Sequence, residues 1–269
     1  MTIQNLTDEL TYSCEDGVAI LTLNRPEKLN ACTTAMYNGI IEVADEVRQN
    51  DEAKVLVITG AGEGFCAGSD AKDRLEVRAR GESLARSRRE LVSPVGYFGS
   101  ALYELKKPTI AAVNGMCVGA GLSFALLCDI RIASEKSRFG AIWVRMGLVP
   151  DVGATCLLPR TVGLDRALKL CYTGEVIGAV EAERIGLVTE VVAHDLLMST
   201  VQGIARKIAD GPSVAIELAK RGICRAMGGD YAAHLDYESY AQNVCFQTAD
   251  FQEALAAFKE KRKPSYRGR

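Results

Sequence analysis

The stretch from Pro108 to Pro150 constrains this chain most. It opens on Thr109-Ile-Ala-Ala-Val113, rich enough in Ile, Val and Ala for a buried strand. Asn114-Gly115 breaks the run, and Met116-Cys-Val-Gly-Ala-Gly121 leads into the apolar Leu122-Ser-Phe-Ala-Leu-Leu-Cys128. The order reads as strand, glycine-rich turn and the start of a buried helix. Small residues at 119–121 let a ligand approach the backbone. The first N–H groups of the helix have no partner inside it, and with the helix dipole behind them they suit an oxygen that becomes negative. The stretch ends in Phe139-Gly-Ala-Ile-Trp143 and Gly147-Leu-Val-Pro-Asp151, which puts one carboxylate in apolar company. The same residues also fit a tightly packed strand–helix turn with no chemistry.

Residues 109–128 are apolar over the length of a membrane span, but they hold Asn114 and three glycines, and Asp129 and Arg131 follow at once. A strand and a helix fit better. A formal net charge of −2 provides no general basic field for nucleic acid or an anionic membrane. Nine scattered cysteines without a Cys-x-x-Cys pair read as mostly buried thiols of a reducing cytosol. The start, Met1-Thr-Ile-Gln-Asn-Leu, has no basic or apolar leader pattern, so a cytoplasmic protein is expected. With only His194 and His234 present, a Ser-His-Asp hydrolase or a His-based metal site has little support.

Around the central stretch, strands are expected at Val18–Leu23, Lys54–Thr59, Asp129–Ala133 and Leu187–Val192. Thr33 suits the N-cap of a helix carrying Met36, Ile40, Ile41, Ala44 and Val47 at helical spacing. Further helices are expected at 164–173 and 179–185. Residues 72–90, dense in charges of both signs, read as a solvated helix face or a mobile loop. Helical patterns at 195–209, 212–227, 231–247 and 249–262 fill the last third. Alternating strands and helices argue for an α/β fold, with residues 1–195 as the core and 196–269 as a helical region for assembly.

Several motifs then coincide. Asn24-Arg-Pro-Glu-Lys-Leu-Asn-Ala31, Phe65-Cys-Ala-Gly-Ser-Asp70, Lys107-Pro-Thr-Ile-Ala-Ala-Val-Asn-Gly115, Cys128-Asp-Ile-Arg-Ile-Ala133 and Gly147-Leu-Val-Pro-Asp151 resemble the enoyl-CoA hydratase/isomerase (crotonase) superfamily. Phe258-Lys-Glu-Lys-Arg-Lys-Pro264 resembles its C-terminal signature. The resemblance implies a spiral of ββα units, a homotrimer or dimer of trimers, and an acyl-CoA thioester as substrate. No separate cofactor is implied, because coenzyme A enters as part of the substrate. It also implies an oxyanion hole made by the backbone N–H groups of Ser69 and Ala120. Coenzyme A is expected near Lys28, Leu29 and Ala31 on one loop and Asp70, Ala71 and Lys72 on another, with Lys261 of a neighbouring subunit at a phosphate.

The departures narrow the reaction. Typical hydratases of the family carry two glutamates, at positions that fall here on Ser123 and Trp143. Neither can act as a carboxylate, so two-glutamate hydration is not expected. Asp151 remains, at the Leu-Val-Pro-Asp position where double-bond-shifting relatives carry an Asp; a dehalogenase branch likewise has its Asp eight residues after a Trp. Asp151 reads either as the base of an isomerase or as the N-cap of a helix beginning near Val152. Trp143 reads as a pocket wall and Ser123 as a buried, hydrogen-bonded hydroxyl. The alternatives are a hydratase, hydrolase or dehalogenase working through Asp151, and a silent acyl-CoA-binding subunit.

Overall fold

The computed structural model describes residues 6–81, 96–226, 228 and 230–268. Its frame is a six-stranded sheet in the order β1 (Leu10–Glu15), β2 (Val18–Leu23), β3 (Val55–Gly60), β5 (Thr109–Val113), β7 (Ile130–Ser134), β10 (Glu190–Val192). Only β1 runs antiparallel to its neighbour. A second sheet holds β4 (Gly64–Cys66), β6 (Met116–Val118), β8 (Arg138–Gly140) and β9 (Val176–Gly178). The spiral is visible in how the sheets alternate. β3 passes into β4, β5 into β6 and β7 into β8, each pair crossing from the first sheet to the second.

The continuous apolar runs of β3 and β5 follow from burial on both faces. Leu56, Ile58, Ala111 and Val113 point into one core, with α1 (Thr34–Gln49) among its walls. Val55, Val57, Ile110 and Ala112 alternate into a second core, closed by Leu197, Val201 and Ala205. Those three residues belong to the helix Leu197–Ala209. The core therefore runs past residue 195, into the region expected to serve assembly. Thr33 caps α1, its side chain accepting from Met36 N. At the other end the buried Lys107 Nζ donates to Val47 O and Asn50 O, both at 2.7 Å.

The remaining helices are α2 (Gly96–Tyr103), α3 (Ala120–Leu127), α4 (Ala154–Val162), α5 (Leu164–Thr173), α6 (Ala179–Arg184), α7 (Leu197–Ala209), α8 (Ser213–Ala226), α9 (Tyr231–Phe246) and α10 (Ala249–Glu260). Two expectations need correction. The strand at Leu187–Val192 shrinks to Glu190–Val192, because Leu187 and Val188 turn back onto Ala182 O. In the 72–90 run, Ala71–Glu76 and Val77–Ala79 are helical and Arg74 is buried. Residues 82–90 lie outside the described residues. Among the described residues, no helix is long and apolar enough to cross a membrane.

The second-sheet crossovers depend on backbone contact. A Cβ on Gly121 would sit on Cys66 O, and one on Gly115 on Glu63 O. Gly121→Ala is expected to lower the unfolding free energy by roughly 1–3 kcal/mol in urea titrations, as overpacking does. A loss below about 0.5 kcal/mol, the range of an ordinary surface change, would contradict this close approach.

Candidate active site

Two loops and one helix end build the site. Asn30 fixes the first loop: its Nδ2 donates to Ala61 O (2.9 Å) and Gly64 O (2.7 Å), while its Oδ1 accepts from Arg25 N. Asn114 holds the same turn from the other side, donating to Gly62 O and Gly64 O. β4 is thereby pinned where Gly68 and Ser69 emerge beside α3. Gly68 has φ +104°, and a Cβ on it would lie 3.4 Å from Val118 O and 3.7 Å from Ala120 N. Only glycine takes that backbone so close to the helix start without strain.

Ser69 forms a parallel bridge with Cys32. Cys32 N donates to Gly68 O (2.7 Å) and Asp70 N to Cys32 O (2.9 Å). In such a bridge the Ser69 N–H points away from Cys32. Ala120 is the first residue of α3, where helical N–H groups have no internal partner. Among the described residues neither amide has an acceptor. The two therefore stand as free donors on adjoining segments. The Ser69 Oγ is hydrogen-bonded to Tyr37 Oη at 2.9 Å, and the Arg74 guanidinium stacks 3.9 Å from the centre of the Tyr37 ring.

Two cavities meet at this point, sharing Ser69 and Ala71. One, of about 700 Å³, has Tyr37, Arg74, Leu148 and Asp151 in its wall. The other, of about 910 Å³, has Arg25, Lys28, Ala31, Asp70 and Lys72. The structure thus brings five of the expected coenzyme A residues, Lys28, Ala31, Asp70, Ala71 and Lys72, to one groove. Leu29 is not in its wall: it adopts the left-handed conformation, and its backbone and Cβ pack beside Gly64. Lys261 ends α10 and lines neither cavity within the chain. Asp70 does more than line the groove. Its Oδ1 accepts from Lys72 N (3.0 Å) and Asp73 N (2.9 Å), capping the helical turn, and its Oδ2 pairs with Arg25 at 3.1 Å. Those bonds hold its carboxyl below the usual range.

Asp151 enters from the other wall. A short 3-10 turn, Ile142–Met146, carries Trp143, which is 6% exposed. The indole Nε1 donates to Asp151 Oδ1 at 3.0 Å. Ser123, 0% exposed on α3, donates its hydroxyl to the Asp151 carbonyl at 3.0 Å. Val152 follows with φ +53° and Gly153 with φ +85°. A β-branched residue in that region is strained, by about 1–3 kcal/mol in typical cases. The strain is sustained where it aims the neighbouring carboxylate. Asp151 is not the N-cap expected as its alternative role. Gly153 is the cap residue, and the Asp151 side chain is turned to Trp143 instead. Trp143, expected as a pocket wall, lines neither cavity and instead holds the Asp151 carboxylate from behind.

Burial pushes the Asp151 carboxyl above its ordinary value, outweighing the Trp143 hydrogen bond and the positive charges of Arg74 and Arg78. Sequence reasoning missed Tyr37, Arg74, Glu76 and Arg78 as cavity residues. Tyr37 carried only the signal of a core-facing helix position. The three others sat in a charge-rich run with no apolar period to orient it. Among the described residues, no group of three His, Cys, Asp or Glu side chains is placed to hold a metal ion.

The raised Asp151 pKa has a consequence for stability. Between the free Asp value of about 3.9 and the folded value, the native state holds a proton that the unfolded chain has released. Stability from this group is therefore full below pH ~3.9 and falls as pH rises through that window. Asp151→Asn is expected to raise the melting temperature at neutral pH, with the gain vanishing in acid. Thermal scans across pH check this, and an equal or lower melting temperature at pH ~7 would contradict the sign.

The comparisons with known proteins agree with this arrangement. The enoyl-CoA hydratase/isomerase family model matches residues 13–269. The 1,2-epoxyphenylacetyl-CoA isomerase of Escherichia coli K12 is 37% identical over 256 residues, covering 95% of this chain and 97% of that protein. The short-chain-enoyl-CoA hydratase of Clostridium acetobutylicum is 40% identical over 255 residues, covering 93% and 94%. The crystal structure of an enoyl-CoA hydratase from Bacillus anthracis superposes with a TM-score of 0.88 at 33% identity, covering 97% of this chain and 100% of that one. With its two crossing sheets, its spiral of strand pairs and a match over nearly its whole length, the chain belongs to the enoyl-CoA hydratase/isomerase family and has the crotonase fold.

Proposed function

We propose that this enzyme is an acyl-CoA isomerase that moves a double bond in an unsaturated acyl-CoA. The thioester oxygen accepts from Ser69 N–H and Ala120 N–H. Asp151 takes a proton from the α or γ carbon, and the resulting dienolate keeps its charge on that oxygen. The proton returns at the other end of the allylic system from the same carboxyl, because both carbons present one face to it. Loss of a single donor from such a pair typically costs about 3 kcal/mol in the transition state. The coenzyme A nucleotide lies along Lys28, Ala31, Asp70 and Lys72, with Lys261 supplied by a neighbouring subunit.

One observation carries the reading. The residues at the two positions where family hydratases carry glutamates are both spent on holding Asp151: Ser123 on its carbonyl, Trp143 on its carboxylate. Water addition needs one group to activate water and another to handle the proton. Proton transfer between two carbons needs one. The isomerase among the relatives supports the choice, although several of the others are named hydratases. A second reading, hydration or hydrolysis through Asp151, draws on Glu76, an exposed carboxylate on the same cavity.

With a 3-enoyl-CoA as substrate, Asp151→Asn is expected to cut turnover by roughly two to four orders of magnitude while leaving acyl-CoA affinity nearly unchanged. Near-normal turnover would end the assignment. Trp143→Phe is expected to leave the fold intact and move the acid limb of the pH–rate profile upward, because the indole hydrogen bond favours the charged form of Asp151. A limb that stays in place would show that Trp143 does not tune the base.

We infer a homotrimer or dimer of trimers. No residue of α9 is buried within the single chain, and Phe258 on α10 is 82% exposed. Large apolar residues so displayed mark a covered surface. Light scattering is expected to give a multiple of the 29.0 kDa chain mass; a monomer at micromolar concentration would contradict it and would remove Lys261 from any neighbouring site.

A further inference from the structure

The acyl-side cavity contains a cation whose charge reaches Asp151 but which has no carboxylate in ion-pair contact among the described residues. Arg74 is only 9% exposed, yet it lines this cavity. Its five N–H donors find one side-chain acceptor among the described residues, Thr34 Oγ1, at a long 3.4 Å. No carboxylate lies within ion-pair distance of it among the described residues; Asp73 is turned to Thr34 instead. The Tyr37 ring beneath the guanidinium offsets part of its desolvation, as cation–π stacking does. Arg78, a second cation, stands one helical turn further along the same wall, with the apolar Leu75 and Ala79 beside it. A purely hydrocarbon acyl tail would exclude water from this wall and leave the guanidinium dry, with the charges of Asp73 and Asp151 near it but no carboxylate in hydrogen-bonded contact.

We propose that the preferred acyl group carries a carboxylate at its far end, received by Arg74 with Arg78 in support. The inference rests on the acyl-CoA reading of the site and names its substrate class: the coenzyme A monothioester of an unsaturated dicarboxylic acid. The planar fork of arginine receives a carboxylate through two parallel hydrogen bonds, which fixes direction as well as charge. Held from that end, the chain is stretched between Arg74 and the two amides at Ser69 and Ala120, and its allylic carbons lie across Asp151. The nucleotide groove has its own cations, Arg25, Lys28 and Lys72, so the coenzyme A phosphates do not account for Arg74.

The test is calorimetric binding of adipyl-CoA against hexanoyl-CoA to the full chain. These saturated thioesters of equal length differ only in the terminal carboxylate and cannot isomerise. Adipyl-CoA is expected to bind roughly 10- to 100-fold more tightly, the ratio a charge-assisted hydrogen-bonded pair gives. Arg74→Met is expected to bring the ratio to about one, with continued hexanoyl-CoA binding marking a folded site. Should that variant fail to fold, Arg74→Lys, which keeps the charge and loses the fork, is expected to reduce the ratio part-way. A wild-type ratio of one or below would overturn the proposal, as would a ratio that survives either substitution. An equal loss for adipyl-CoA, hexanoyl-CoA and free coenzyme A would also overturn it, by assigning Arg74 to the nucleotide. Binding is read without turnover, so lost isomerase activity with the ratio intact would count against Asp151 as base and leave this inference standing.

Discussion

The site depends on a close passage of backbone against backbone. Where β4 leaves the second sheet and α3 begins, no β-carbon fits between the segments at Gly121 and Cys66, or between Gly115 and the turn before β4. That contact brings the amides of Ser69 and Ala120, far apart in sequence, onto adjoining segments. Side chains could not do the same work, because a rotamer can relax while a backbone amide fixed at a helix start and a β-bridge cannot. Donors oriented in advance cost no reorganisation when charge develops on an oxygen, which is the source of their catalytic value. The buried asparagines Asn30 and Asn114 serve this geometry indirectly, by tying the 61–64 turn from both sides.

The second constraint is the treatment of Asp151. Its carbonyl is fixed by Ser123, its carboxylate by Trp143, and the chain beyond it is forced through two left-handed residues before α4 can start. Burial raises its pKa while the indole and the nearby arginines restrain the rise. A base that must remove a proton and give it back benefits from that compromise, since its affinity for the proton should approach the operating pH. The strained Val152 shows that the local backbone is held for position rather than for comfort.

Much of this was legible in the sequence. The apolar runs at 18–23, 54–59 and 109–113 read as strands, and Thr33 announced α1. The Gly-Ala-Gly turn before α3 and the lone carboxylate in Leu-Val-Pro-Asp151 pointed to the site. The short strands β4, β6, β8 and β9 were not legible, because three residues carry no period. The Trp143–Asp151 hydrogen bond was visible only as an eight-residue spacing, since nothing in the letters says which way an indole N–H points. Arg74 was missed for a different reason. A charge-rich segment reads as solvated surface, and only the fold shows that one of its arginines is turned inward over Tyr37. The helical pattern at 195–209 was correct as a helix, but its place beneath the main sheet is a long-range packing result that no local pattern encodes.

The central claim is that one carboxylate moves one proton between two carbons of a substrate whose oxygen is held by two amides. Isotope tracing tests it most directly. A 3-enoyl-CoA turned over in water labelled with both deuterium and oxygen-18 is analysed by mass spectrometry and NMR. The account predicts a 2-enoyl-CoA product carrying deuterium only at the carbons between which the proton moves, and no oxygen-18. A first-formed product bearing oxygen-18, whether as a hydroxyacyl-CoA or as a free acid, would contradict it and assign the site to water chemistry instead.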